Sequence, residues 1–171
     1  MSLSGDNPCQ NSNEIKELSS GDRTINYDSS TDKCDLTDSE IGSDWSKWYK
    51  ITGNAGNALR VATPPRERCG GQAQGYLTEN HPVPSDGVVN RQVCIQNPSN
   101  SCKRKSPIRV VNCGSFYLYQ LQTLRDNCGL NWRYCTNGKA DVEPPCQGGV
   151  FECLTFCLRD ICVINSQKGG F

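Results

Sequence analysis

The chain has 171 residues, enough for one domain with a small appendage, and its 18 Lys and Arg balance 18 Asp and Glu. A neutral overall field excludes a general nucleic-acid binder, and no apolar run approaches the ~20 residues that span a bilayer, so no membrane span is expected. Hydrophobic residues, cysteine included, reach only 35%, so the 12 cysteines are expected to supply through disulfides the stability that a thin core lacks.

Disulfides need an oxidising compartment, which points to a secreted or extracellular protein. A zinc site would need Cys/His ligands in tight pairs, but no C-x-x-C occurs and His81 is the single histidine, so neither metal nor other cofactor is expected. The N-terminus, MSLSGDNPCQ, has no basic or apolar leader, and the sequence reads as a mature piece whose targeting segment has been removed.

Residues 1–33 are rich in Ser, Asp, Asn and Thr, with little periodic hydrophobicity beyond Ile15, Leu18, Ile25 and Tyr27. Cys9 and Cys34 bracket most of this stretch, predicting a loop or hairpin stapled to the rest. From Asp44 to Ala62, aromatic and β-branched residues predict strands on either side of a Gly-Asn-rich turn. After Cys69 the chain is punctuated by Gly and Pro up to the turn signal Pro84-Ser85-Asp86-Gly87. A strand is expected next, with Val89, Arg91, Val93 and Ile95 on one face and Val88, Asn90, Gln92 and Cys94 on the other. Ile108–Val111 and Phe116–Leu121 are further strands, separated by a turn or bulge at Gly114. The predicted fold is mainly β: a small disulfide-rich antiparallel sheet with long loops and little helix. The polar connector TNGKADVEPP marks a boundary between a module over 1–136 and a cysteine-rich tail over 137–171. In the tail, Cys153 and Cys157 fit one face of a helix or a short strand about equally well, and Cys146, Cys153, Cys157 and Cys162 allow three pairings.

Few residues carry a chemical signal. Lys103-Arg104-Lys105, with Arg109 nearby, is the one basic cluster, and beside Pro107 it reads as a solvated loop rather than a heparin or nucleic-acid patch. Gly53 and Gly56 lack the third glycine and the Lys-Ser/Thr of a phosphate loop and read as a β-turn. His81 lies in a turn-like context with no thiol left free to activate, and Asp6 and Asp22 lie in the polar N-terminal segment with no apolar pocket in view, so no general-base arrangement can be named. Trp45, Trp48, Tyr49, Tyr117 and Tyr119 have the composition of a carbohydrate-binding shelf, but core is the better reading for Trp48, Tyr117 and Leu121, with Trp45 and Trp132 left for the surface. No Asn begins a usable glycosylation sequon.

Taken in order, several stretches resemble the extracellular eight- or ten-cysteine module of uromodulin and of the pancreatic zymogen-granule membrane glycoprotein. They include Pro8-Cys9-Gln10, Cys34-Asp35, Trp48-Tyr49-Lys50-Ile51, Arg68-Cys69-Gly70 and His81-Pro82. Farther along come Gly87 to Cys94, Asn112-Cys113-Gly114, Phe116 to Leu121, Cys128 and Tyr134-Cys135-Thr136. Two cysteines of the ten-cysteine pattern are missing, at Val61–Pro64 and at Ser101 before Cys102. The resemblance then implies the pairs Cys9 to Cys113, Cys34 to Cys128, Cys69 to Cys135 and Cys94 to Cys102. It also implies an N-glycan before the His-Pro pair that serves in such modules as a decoy for bacterial fimbrial lectins, but Thr78-Glu79-Asn80-His81-Pro82 has no sequon. The reading is a secreted, non-enzymatic module that mediates interaction with an extracellular protein or glycan partner, or self-assembles into an extracellular structure. The alternative is a lectin-like module that binds pathogen glycans.

Overall fold

A computed structural model describes residues 7–10, 15–27, 33–35, 41, 46–122 and 131–138, together with the backbone of 157–158 and 161–162. The chain divides into two compact units, Met1–Ala140 and Asp141–Phe171. The first is built on one seven-stranded sheet: β1 (Ile15–Leu18), β2 (Trp48–Ile51), β3 (Ala73–Leu77), β4 (Val89–Asn97), β5 (Asn100–Asn112), β6 (Tyr117–Gln120) and β7 (Trp132–Tyr134), in the spatial order β1-β2-β6-β5-β4-β3-β7. In the second, β8 (Cys157–Leu158) and β9 (Ile161–Cys162) form an antiparallel ladder that sets Cys157 opposite Cys162, so the extended reading of this stretch holds over the helical one.

The chain is mainly β with little helix, and its four inner pairings are antiparallel. The two outer pairings, β1 with β2 and β3 with β7, are parallel. Parallel neighbours need long connections, so no local turn signal announces them. Two elements depart from expectation for this reason. The stretch Ile15–Leu18, read as part of a loop or hairpin, is an edge strand, and the Gly-punctuated stretch after Cys69 contains β3, all five residues of which are buried. On the far side of the Gly-Asn-rich turn the expected strand is reduced to isolated bridges at Leu59 and Val61.

Local chemistry explains the inner turns. Between β4 and β5, the Asn97 side-chain oxygen accepts from the backbone N–H groups of Ser99 and Asn100, an Asx turn that reverses the chain. Between β5 and β6, Gly114 takes φ +88° while its N–H donates to the Asn112 side chain, and Cys113 N–H donates to Phe116 C=O. Glycine adopts that left-handed conformation without a Cβ penalty.

The sheet buries two apolar clusters of unequal size. The larger includes Leu18, Tyr49, Ile51, Val93, Ile95, Ile108, Val110, Tyr119, Leu121, Trp132 and Tyr134. The smaller is Trp48, Val111 and Leu118, against which Cys9, Ile15, Cys113 and Phe116 pack. Successive side chains of a strand point to opposite faces, so Trp48 and Tyr49 enter different clusters. Trp48 and Leu121 are buried and Tyr117 packs partly buried against the larger cluster, in line with the core reading. Trp132, expected at the surface, is 3% exposed, because β7 lies against β3 with its ring edge-on to Tyr134, centroids 5.5 Å apart.

Candidate functional site

Polar side chains inside the first unit gather where the N-terminal segment meets β7. The Arg23 guanidinium contacts Asp35 at 2.6 Å, with both side chains fully buried, and Arg133 Nε approaches the same carboxylate oxygen at 3.5 Å. The second Asp35 oxygen accepts the Tyr134 backbone N–H at 2.7 Å. Arg133 also contacts Asp22 at 2.7 Å, and Asp22 in turn is held by Lys33 and the Ser20 hydroxyl. Backbone bonds complete the join, with Thr136 N–H donating to Arg23 C=O and Ile25 N–H to Thr136 C=O.

Complete burial pushes the Asp35 carboxyl up, opposed by Arg23, the Tyr134 N–H and Arg133. For Asp22, burial also acts upward, but Lys33, Ser20 and Arg133 outweigh it and hold the group down at about 2. Asp22, for which no surrounding pocket was foreseen, therefore sits in a buried ion network. An isolated buried charge is costly, and this mutual pairing is what permits Arg23, Asp35 and Arg133 to be buried at the sheet edge, with Asp22 part-buried beside them. The network is an anchor whose charged atoms face one another.

His81 has a similar role. Leu59 N–H donates to the Tyr119 hydroxyl at 3.1 Å, and His81 Nε2 shares a hydrogen bond with the same hydroxyl at 2.8 Å. Its ring lies against Tyr117, centroids 4.3 Å apart. Burial and the nearby Arg91 cation lower the His81 pKa, while burial raises that of Tyr119. The histidine ties the 78–84 loop to β6 and the 57–61 segment.

Gly56, one half of the faint phosphate-loop signal, meets Gly138 backbone to backbone. A Cβ on Gly56 would lie 2.1 Å from the Gly138 carbonyl oxygen. The Asn137 side chain closes the same contact by accepting from Asn57 and Ala58 N–H. The glycine serves a close chain approach rather than an anion.

Lys103-Arg104-Lys105 belongs to β5 rather than to a loop, and all three residues are exposed. A strand tolerates them because their backbone is paired to β4 on one side. Other cations near the smaller cluster lie over rings: Lys50 is 4.4 Å from the Phe116 centroid and Arg109 is 5.6 Å from that of Trp48. A hollow of about 310 Å³ lies between the Pro8 and Pro84 turns, above Arg109, Val111 and Asn112. The Asn112 amide beside it already donates to Pro82 C=O. Of the aromatic residues considered as a glycan shelf, Trp48, Tyr49 and Tyr119 are buried and Tyr117 is half-buried; Trp45 lies outside the described residues, as does Asp6.

Disulfides join Cys9 to Cys113, Cys69 to Cys135 and Cys94 to Cys102. Cys34 is also disulfide-bonded and lies in the larger core cluster. Cys128, Cys146 and Cys153 lie outside the described residues. Near the positions where two cysteines of the ten-cysteine pattern are absent, the buried Gln96 amide donates to Pro64 C=O at 2.8 Å, and the Tyr76 hydroxyl to Ser101 C=O at 3.0 Å.

One sequence signal for the anchor lies in charge distribution. Residues 1–44 hold ten Asp and Glu against three Lys and Arg, whereas residues 45–138 hold twelve Lys and Arg against four Asp and Glu. A neutral total conceals an acidic segment docked on a basic body.

The family model of the uromodulin-like eight-cysteine domain matches residues 49–136. Pancreatic secretory granule membrane major glycoprotein GP2 of Canis lupus familiaris is 29% identical over 90% of this chain and 30% of its own length. The GP2 of Mus musculus is 31% identical over 94% of the chain and 30% of its own length. Uromodulin of Mus musculus is 35% identical over 58% of the chain and 15% of its own length. The chain thus spans a third or less of these curated relatives, which are secreted or extracellular glycoproteins. With the matched region running from β2 through β7 and including Cys69, Cys94, Cys102, Cys113 and Cys135, the chain belongs to the family of uromodulin-like eight-cysteine domains, which are extracellular modules.

Proposed function

We propose that this chain is a non-enzymatic extracellular module that mediates interaction between proteins or forms part of an extracellular assembly. The observation that carries the reading is the fate of its reactive groups. His81, Asp22 and Asp35 are all engaged in joining one segment of the fold to another, and the cysteines among the described residues are oxidised. Chemistry on a substrate needs such groups to converge on an accessible point, whereas a binding module needs only a rigid surface. The pairing of Cys34 with Cys128 and two further bridges among Cys146, Cys153, Cys157 and Cys162 belong to the same reading, as does a division into a module over 1–136 and a tail over 137–171. The burial of Trp48 and Tyr49 counts against the glycan-binding alternative.

Static light scattering over a wide concentration range, with cross-linking at the surface of secreting cells, tests the role. Self-association, or a reproducible extracellular partner lost on reduction of the disulfides, is expected. A strict monomer that cross-links to nothing overturns the reading, and native thiol alkylation that labels any cysteine overturns the disulfide assignment.

A further inference from the structure

The longest strand is paired unequally on its two sides. β5 has 13 residues and pairs with β4 along nearly all of them, but β6 meets only Arg109–Asn112. From Ile108 back to the hairpin tip, no described strand lies on the outer edge of β5.

Hydrogen bonding across the sheet fixes which groups face that edge. Thr78 N–H donates to Gln92 C=O at 3.1 Å, so Gln92 turns its main-chain groups toward β3 and away from β5. Its partner in register is Pro107, and the two therefore form a non-hydrogen-bonded pair, in which each residue's backbone groups point away from the other. Cys94 and Lys105, two positions along, form a pair of the same kind. The N–H and C=O of Lys105 and the C=O of Pro107 are thus directed outward, and Lys103 follows in the stretch where the register shifts. Pro107 occupies an outward slot, where its missing N–H breaks no ladder bond with β4. Lys103, Lys105 and Pro107 are exposed, and the hairpin is braced by the Cys94–Cys102 disulfide and the Asn97 turn.

Lysine and proline on an edge discourage pairing with a second copy of the same edge, since like charges would meet. They do not discourage an acidic strand. The surrounding body carries an excess of eight positive charges over residues 45–138, which would draw such a strand in. We propose that the outer edge of β5 at Lys103–Pro107 accepts an extended acidic segment of a partner protein as an added strand. Its main chain bonds to the N–H and C=O of Lys105, and its carboxylates meet the Lys103 and Lys105 ammonium groups. This mode gives affinity from the backbone and selectivity from alternate side chains. A sulfated polysaccharide would match the cations but not the outward amide groups.

The proposal names a surface for the interaction role and rests on it. The test uses the full oxidised chain and a fluorescent synthetic peptide of alternating Asp and Thr, read by fluorescence anisotropy. Two further peptides carry N-methyl groups on the odd or on the even amides, which removes donors from one edge of the peptide at a time while keeping every charge. Expected are binding that weakens with salt, a loss of about tenfold or more for one N-methylated peptide and little for the other, and a similar loss in K103E/K105E. The milder K103Q/K105Q, with an unchanged thermal melt, separates lost binding from lost folding. Equal binding of all three peptides, binding of a heparin fragment in place of the peptide, or no binding to the native chain overturns the edge. Each of these leaves the interaction role itself to the scattering and cross-linking experiments.

Discussion

The N-terminal segment and the β4–β5 hairpin belong to the same sheet, yet opposite means hold them. The hairpin is local: its turn is closed by Asn97, its strands are adjacent in sequence, and its disulfide spans 8 residues. The N-terminal segment is remote from everything it touches. It joins β2 in parallel, reaches Cys113 through a disulfide spanning 104 residues, and seals Arg23 and Asp35 against Arg133 and Tyr134. A hairpin made of local contacts survives the loss of any single one. A segment with thin hydrophobicity depends on a few long-range anchors, each closing a large loop.

The largest effect that would sharpen this contrast is at Asp35. Asp35→Asn leaves Arg23 and Arg133 buried with no full negative charge between them, and removal of one partner from such a cluster costs about 3–5 kcal/mol. An unfolding free energy from urea titration lowered by less than a third of that would show the anchor to be dispensable. The disulfides come next. In the chain-entropy picture, opening Cys9–Cys113 by paired serine substitution destabilises by about 2 kcal/mol more than opening Cys94–Cys102, because the enclosed loops differ so much in length. Equal losses would erase the distinction between remote and local attachment.

A smaller loss is expected from Gly56→Ala. The residue adopts φ +92° and meets Gly138, so the added methyl strains the backbone and opens the contact, at about 1–3 kcal/mol; hydrogen exchange should rise at Asn57 and Ala58 first.

The smallest effects come from pH. His81 has a folded pKa below its usual 6.5, so the unfolded chain binds more protons and stability falls as pH drops below 6.5. His81→Phe should flatten the dependence in that window. Asp22, held at about 2 against a usual 3.8, contributes stability above 3.8 that is lost as pH falls toward 2, and Asp22→Asn should remove that second slope. Unchanged slopes in the two variants would detach both groups from the joins described for them.

Much of the centre of the sheet was legible residue by residue. Val93 and Ile95, the run Ile108–Val111 and the run from Phe116 to Leu121 show strand composition, and Gly114 and the Pro84–Gly87 turn lie where the chain reverses or bends. β3 and β7 were not legible. Ala73–Leu77 has no alternation because it is buried on both faces between β4 and β7, and Trp132–Tyr134 is three residues long. The burial of Arg23, Asp35 and Arg133 was not legible either, since a single charge in a sequence gives no sign of the opposite charge that permits its burial.

By itself, then, the sequence determined the mainly β character and the richness in disulfides, because composition and short-range turn chemistry are properties of neighbouring residues. Only the tertiary structure decided that both sheet edges are parallel, that Asp22 and Asp35 of the acidic segment meet Arg133 of the body, and that β5 from Lys103 to Pro107 has no described strand on its outer side. Those features arise from groups tens of residues apart, whose meeting is set by register and loop closure rather than by local preference.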